Sequence, residues 1–215
     1  MSAMDPDRER DALREELSAR IYQKVREDVL GRPRLPEGTL TIVFTDIEGS
    51  SDLLSRLGDH ATRPVLRHYA EVLRETLSQY GGTEVERAGD GFMLVFRSAR
   101  EAVAFALALE DRLPDQTAEE IGAASEPGLS MPRVRVGMDT GEVVAEDRGY
   151  FGSTVFRAAR ICDFAEGGQI LVSEATKVLA GDAAPRGVVD LGEHQLKGIG
   201  GPHRLFEVNR GPAER

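Results

Sequence analysis

An α+β fold with a ferredoxin-like βαββαβ core and extra strands is predicted from three observations. Short apolar or alternating runs, read as strands, alternate with longer helical patterns in the order β-α-β-β-α-β. The two central strands are joined only by Ala88-Gly89-Asp90-Gly91, which makes them a hairpin. A hairpin held between helix-linked strands gives an antiparallel sheet, with the helices on one face and the first strand beside the hairpin.

Residues 1–38 precede this core. Within 5–30, Leu13, Leu17, Ile21, Val25 and Val29 recur every four residues amid alternating charge, an apolar stripe on a helix. That helix either covers its own domain or serves as a regulatory or dimerising segment. Gly31-Arg32-Pro33-Arg34-Leu35-Pro36-Glu37-Gly38 breaks it and reads as a linker.

The main domain is expected over 39–215. Leu40–Phe44 is a buried strand that delivers Asp46 at its end. Pro64 suits an early position of a helix running to Tyr80, stopped by Gly81-Gly82. Thr83–Arg87 and Phe92–Phe96 flank the turn that carries Asp90. Ser98 and Glu101 form a capping box that opens a helix through Leu113. Pro114–Ser130, polar and rich in small residues, predicts a mobile loop. Arg133–Met138 and Glu142–Ala145 read as strands around Asp139-Thr140-Gly141. A helix over Ser153–Phe164, a strand over Gln169–Val172 and a short helix after Ser173 follow. Strands near Val188–Leu191 and Leu205–Val208 complete the domain.

Composition narrows the function. A formal net charge of −10 opposes general nucleic-acid binding, which needs clustered Lys and Arg. It leaves room for a small anionic substrate held by a few local cations. The lone Cys162 excludes an internal disulfide framework or a thiolate metal cage, and it falls on an inner helix face. No apolar run is long enough to cross a bilayer, and the charged N-terminus has no apolar leader core, so a cytoplasmic protein without a membrane partner is expected. The four histidines show no ligand spacing, and no P-loop motif occurs.

What remains is a pair of acids, Asp46 in Phe44-Thr45-Asp46-Ile47-Glu48-Gly49-Ser50-Ser51 and Asp90 in Ala88-Gly89-Asp90-Gly91-Phe92. Each ends a strand and is hedged by glycine, so backbone can approach a ligand closely. Two such carboxylates brought together suit Mg²⁺, which takes one or two protein carboxylates plus substrate phosphates. Nucleotide chemistry is the leading reading of these residues.

Those two segments, with Arg135-Val136-Gly137-Met138-Asp139-Thr140-Gly141, Tyr150-Phe151-Gly152-Ser153-Thr154-Val155, Arg160, Gly167-Gly168-Gln169-Ile170-Leu171-Val172-Ser173 and Leu196-Lys197-Gly198, resemble the class III adenylate/guanylate cyclase catalytic domain, bacterial type. The likeness spans about residues 40–208 in order, and so ordered a set is highly specific. It implies the nucleotide cyclase fold, a homodimer with sites at its interface, two divalent ions (Mg²⁺ or Mn²⁺), and conversion of a nucleoside triphosphate to its 3′,5′-cyclic monophosphate and pyrophosphate. By this resemblance Asp46, Asp90 and the carbonyl of Ile47 hold the metals. Gly49 and Ser50, at a helix start, and Arg135 meet the phosphates from the same subunit. Arg160, stabilising charge at the α-phosphate, and Lys197, at the β/γ end, come from the partner.

Three positions depart from the family pattern. Adenylate-specific members carry Lys four residues before the second metal acid, where this chain has Glu86. Glu86 is an acceptor and suits the N1–H and N2–H₂ donors of guanine, not the bare N1 of adenine. Two residues before the aromatic-Gly pair, where those members carry Asp or Thr, stands Gly149. Glu86 with a small residue at the second position resembles the guanylate-cyclase side of the family, a lean toward GTP over ATP. Gly149 gives no side-chain donor to guanine O6 and leaves that contact to a backbone N–H, Arg87, Arg148 or water. Four residues before Arg160, where the family usually has an Asn that orients the ribose, stands Phe156. Phe156 cannot hydrogen-bond a sugar oxygen, and losing such a contact costs about 10²–10³ in rate. The alternative reading is therefore a catalytically weak or inactive nucleotide-binding or dimerisation module.

Overall fold

The computed structural model describes residues 37–113, 133–146, 149–185 and 187–209; the helix expected over 5–30 and the loop expected over 114–130 lie outside the described residues. Glu37–Arg215 form one compact unit. Its chain order is β1 (Gly38–Ile47), α1 (Ser50–Gln79), β2 (Thr83–Ala88), β3 (Gly91–Phe96), α2 (Ala99–Arg112), β4 (Val134–Glu146), β5 (Gly149–Phe151), α3 (Ser153–Phe164), β6 (Ile170–Ser173), α4 (Glu174–Ala180), β7 (Val188–Gln195) and β8 (Pro202–Val208).

The sheet runs β2-β3-β1-β4-β6-β8-β7, with β5 paired to the far end of β4. β1 lies antiparallel between β3 and β4, so the first strand and the central hairpin are neighbours, as the βαββαβ reading requires. The extra strands join through one parallel pair, β4 with β6. No helix among the described residues is long and apolar enough to cross a membrane.

Side chains alternate between the two faces of each strand. Val43 and Ile47 of β1, Phe92, Leu94 and Phe96 of β3, and Val136 and Met138 of β4 enter one core with Tyr69 and Leu73 of α1 and Phe105 and Leu109 of α2. On the other face, Ile161 of α3 and Ala165 just after it pack with Leu171, Leu196 and Leu205. The two helices of the βαββαβ core, α1 and α2, share one face as expected, whereas the added helix α3 lies across the sheet from them. The added strands supply the reason, because Leu171 of β6 and Leu205 of β8 give α3 an apolar partner of its own. At Gly137 of β4 a Cβ would stand 2.1 Å from the Cys162 nitrogen, so glycine is what lets the α3 backbone press against the strand.

Two boundaries also differ from the sequence reading. α1 begins at Ser50, ahead of the expected start, and breaks at Gly58 (φ 72°, ψ 173°), so that a short first segment precedes a main segment from Asp59 whose second turn holds Pro64. Leu53, Ala61, Val65, Tyr69, Val72, Leu73 and Leu77 carry its buried stripe, and Gly58 interrupts that periodicity in the sequence. β4 is one strand, not two. Gly141 makes no turn there; a Cβ at Gly141 would meet Thr154 Oγ1 at 2.7 Å, so the glycine serves a close approach.

Candidate active site

β1 carries Asp46 one residue from its end, opposite Arg135 of β4. Tyr69 of α1 fixes the level of that strand end by donating its buried hydroxyl to Thr45 Oγ1 at 2.6 Å. The β2–β3 hairpin delivers the second acid: Gly89 takes φ 66°, the positive value a two-residue hairpin turn needs at its first position. Asp90 Oδ2 then accepts a hydrogen bond from the Ile47 N–H at 3.3 Å. The two acids singled out in the sequence thus meet, with Ile47 between them.

Their electrostatics follow from that meeting. Burial raises the Asp46 carboxyl above its usual range; the Arg135 hydrogen bond opposes this, and the neighbouring Asp90 charge adds to it. Arg135 donates to Asp46 Oδ2 from Nε at 3.0 Å and also from Nη2. Against its own burial, Arg135 is pushed up by this pairing. Cys162 Sγ reaches the Arg135 carbonyl at 3.6 Å from the α3 side, and burial pushes that thiol up to about 12.

Past Ile47 the chain turns into α1 through Gly49, left-handed at φ 68°. Glycine offers no side-chain cap, so the first-turn N–H groups, Ser50 among them, keep no partner from the cap residue. Glu48 is engaged by the chain before β6. It accepts from the Gly167 N–H at 3.0 Å, and its own N–H donates to the Arg133 carbonyl at 2.9 Å. Sequence reasoning missed this strut, although Gly167-Gly168 was a signal: a Cβ at Gly167 would fall 2.3 Å from Glu48 Oε2.

The donor set fits a hard divalent cation. No three His, Cys, Asp or Glu side chains among the described residues form a closed metal cage. Instead two carboxylates stand close enough for the charge on one to shift the other, beside the Ile47 backbone and a helix start. Such a half-built oxygen site suits Mg²⁺ or Mn²⁺ completed by phosphate oxygens.

The remaining candidates do not join this cluster. Arg160 of α3 is held by Asp163 at 2.6 Å in an exposed i,i+3 pair. Lys197 is exposed in the turn after β7 and has no partner among the described residues. Glu86 is exposed on β2 without an ion-pair partner among the described residues; its neighbour Glu84, not Glu86, takes Arg74. Gly149 (φ 153°) comes to the same region, because a Cβ there would lie 3.6 Å from Val85 Cγ1 in the β2 bulge. Phe156 is 52% exposed and meets Phe151, 54% exposed, edge to face at 5.6 Å. One pair went unforeseen: Asp139, 1% exposed, accepts from Arg157 Nε at 2.7 Å and so ties the first turns of α3 to β4.

Residues 34–208 match the family model of the adenylate and guanylate cyclase catalytic domain. The chain belongs to that family. An uncharacterized protein of Mycobacterium tuberculosis is 34% identical to this cyclase-family chain over 178 residues, 80% of this chain and 56% of that protein. Receptor-type adenylate cyclase A of Leishmania donovani is 30% identical over 222 residues, 85% of this chain and 16% of that protein. The chain thus spans about half the length of its mycobacterial relatives, at 56%, and far less of the receptor-type ones. Among solved structures, an adenylate cyclase from Trypanosoma brucei in its monomeric state superimposes with a TM-score of 0.72 at 27% identity, covering 84% of this chain and 94% of that one. A guanylyl cyclase superimposes at 0.66 with 26% identity, covering 80% and 94%. The eight-stranded α+β architecture is that of the nucleotide cyclases.

Proposed function

We propose that this protein is a nucleotidyl cyclase that turns a nucleoside triphosphate, GTP in preference to ATP, into its 3′,5′-cyclic monophosphate and pyrophosphate. The reading rests on one observation above the rest: Asp46 and Asp90 converge on Ile47 beside an uncapped helix start and Arg135. Asp46, Asp90 and the Ile47 carbonyl would hold two divalent ions, Mg²⁺ or Mn²⁺, whose chemistry is to acidify a hydroxyl and neutralise phosphate charge.

The chain's own groups do the positioning. The open N–H groups of Gly49 and Ser50 receive the triphosphate at the start of α1. Arg135 exchanges its Asp46 partner for a phosphate oxygen. A second copy of the chain supplies Arg160 and Lys197, and the site is complete only in a homodimer. The Arg160–Asp163 pair is exposed and worth at most about 1 kcal/mol, so it yields readily to an α-phosphate. There Arg160 stabilises the charge that develops as the ribose 3′-oxygen bonds to phosphorus and pyrophosphate leaves. Glu86 accepts from guanine N1–H and N2–H₂, and Gly149 leaves that edge open.

A second reading is favoured by Phe156. An exposed aromatic pair replaces a polar ribose contact, which fits a weakly active or inactive nucleotide-binding or dimerisation module. Incubation with GTP or ATP and Mn²⁺, with products resolved by chromatography, tests the proposal. Binding of a non-cyclisable nucleotide without any cyclic product would select the module.

A further inference from the structure

On the sheet face opposite Asp46, α1 crosses the hairpin and leaves a cleft of about 570 Å³ lined by Arg63, Arg67, Ala70, Glu71, Arg74 and Arg87. The face is set by Phe92, which belongs to the α1–α2 core. The guanidiniums of Arg74 and Arg87 lie over its ring, 5.6 and 5.1 Å from the centroid. Asp46 and Arg135 occupy the alternate positions of their strands, on the α3 side.

Four arginines around one cleft are unusual in a chain whose net charge is −10. Two of them are fixed. Arg74 is clamped by Glu84 through Nε at 2.7 Å and Nη2 at 2.8 Å, and Arg87 Nε donates to the Gly89 carbonyl at 3.0 Å. Held this way, each guanidinium faces a ligand with little side-chain freedom left to lose. Arg63 and Arg67 are different. They stand one turn apart on α1, both exposed, and neither has a hydrogen-bond or ion-pair partner among the described residues. Opposite charges do stand one turn away on the helix, Asp59 before Arg63 and Glu71 after Arg67, but neither closes an ion pair with these arginines among the described residues. With Glu84 neutralising Arg74 and Glu71 the one acid in the lining, two positive charges remain uncompensated. Buried Ala70 keeps the floor clear.

We propose that this cleft binds a phosphate group, carried as a monoester dianion or as pyrophosphate, at a site separate from the candidate active site. The planar forks of Arg63 and Arg67 pair with phosphate oxygens two at a time, and the fixed Arg74 and Arg87 form the opposite wall. Two unbalanced charges match the dianion of a phosphate monoester. Glu71 accepts a hydrogen bond from a hydroxyl beside the phosphate, a partner that a sugar phosphate has and pyrophosphate lacks. A nucleic-acid strand would gain no continuous basic track from this one small cleft in a chain of net charge −10.

Calorimetry on the full chain in EDTA, at pH 7.5 and low salt, with ribose 5-phosphate in one arm and pyrophosphate in another, tests this. Chelation removes the divalent ions that would recruit phosphate to Asp46 and Asp90. One saturable site is expected, weakened at least tenfold in Arg63→Gln/Arg67→Gln and unchanged within twofold in Arg135→Gln. The tighter of the two ligands identifies the source. Melting of Arg63→Gln/Arg67→Gln should occur at the same or a higher temperature than in the parent. The proposal is overturned by no saturable binding in either arm, by loss through Arg135→Gln with Arg63→Gln/Arg67→Gln unaffected, or by a binding loss that accompanies a lower Tm.

Discussion

Arg135 and Asp46 stand directly opposite each other on β4 and β1, and Arg135 sends both Nε and Nη2 to a single carboxylate oxygen, Oδ2. The arginine is thus the counter-ion of Asp46, the acid on which the neighbouring Asp90 charge also acts. Arg135→Ala should raise the Asp46 carboxyl further, since the group that holds it down is gone. It should also lower kcat by about 10²–10³, as loss of one preorganised phosphate contact does. Carbon-13 titration of Asp46 and steady-state rates with Mn²⁺ measure the two effects. An unmoved Asp46 together with an unmoved rate would remove Arg135 from the site.

Asp46→Ala and Asp90→Ala should each abolish cyclic-nucleotide formation with Mg²⁺ or Mn²⁺. The acids act as a unit, so the double variant should be no worse than either single one. Cyclic product at the parental yield from either variant would defeat the cyclase proposal.

Glu86 is exposed and has no ion-pair partner among the described residues, so its carboxylate is available to a base. Glu86→Lys should shift the GTP/ATP ratio of kcat/KM toward ATP by about tenfold or more, because a mispaired polar edge is heavily penalised. Equal ratios before and after would show that Glu86 does not read the base.

Phe156 projects from the first turns of α3 at 52% exposure, and its removal leaves no buried hole. Phe156→Asn should leave Tm nearly unchanged and raise kcat at least about tenfold by restoring a ribose hydrogen bond. A rate that falls instead would assign Phe156 a stacking role.

Cys162 offers a pH test. Burial pushes its thiol from the ordinary 9.0 up to about 12, so between these values the unfolded chain loses a proton that the folded chain retains. Folding stability should therefore decline as pH rises through that window, and Cys162→Ala should lack this component. At pH 8 the native thiol should react with iodoacetamide about a thousandfold more slowly than the unfolded one. Comparable rates would place the sulfur at the surface.

Gly137→Ala should be among the most damaging small changes in the domain. Its methyl would lie 2.1 Å from the Cys162 nitrogen, where a backbone must move, at a cost of about 1–3 kcal/mol or more. Urea denaturation measures it, and a loss below about 0.5 kcal/mol would contradict the close contact of α3 with β4.

What lies within a few residues of itself was legible in the chain. The Gly89-Asp90 turn, the Ser98 side chain accepting from the Glu101 N–H, and the bounds of α3 at Ser153–Phe164 all follow from local turn, cap and periodicity rules. The motif order likewise carried the family and the acid pair. Where a glycine serves close packing, as at Gly141, the same rules misread it as a turn.

The sequence by itself determined which elements form, and that two strand-end acids must seek a cation. Only the tertiary structure decided which partners they have. Asp46 and Arg135 are 89 residues apart, and nothing in either segment specifies the strand register that sets them face to face. The same holds for Glu48 under Gly167, Asp139 under Arg157, α3 on the far face, and the arginines of α1 gathered with Arg87. Each depends on how separate apolar faces are buried together, a long-range packing outcome that no local pattern encodes.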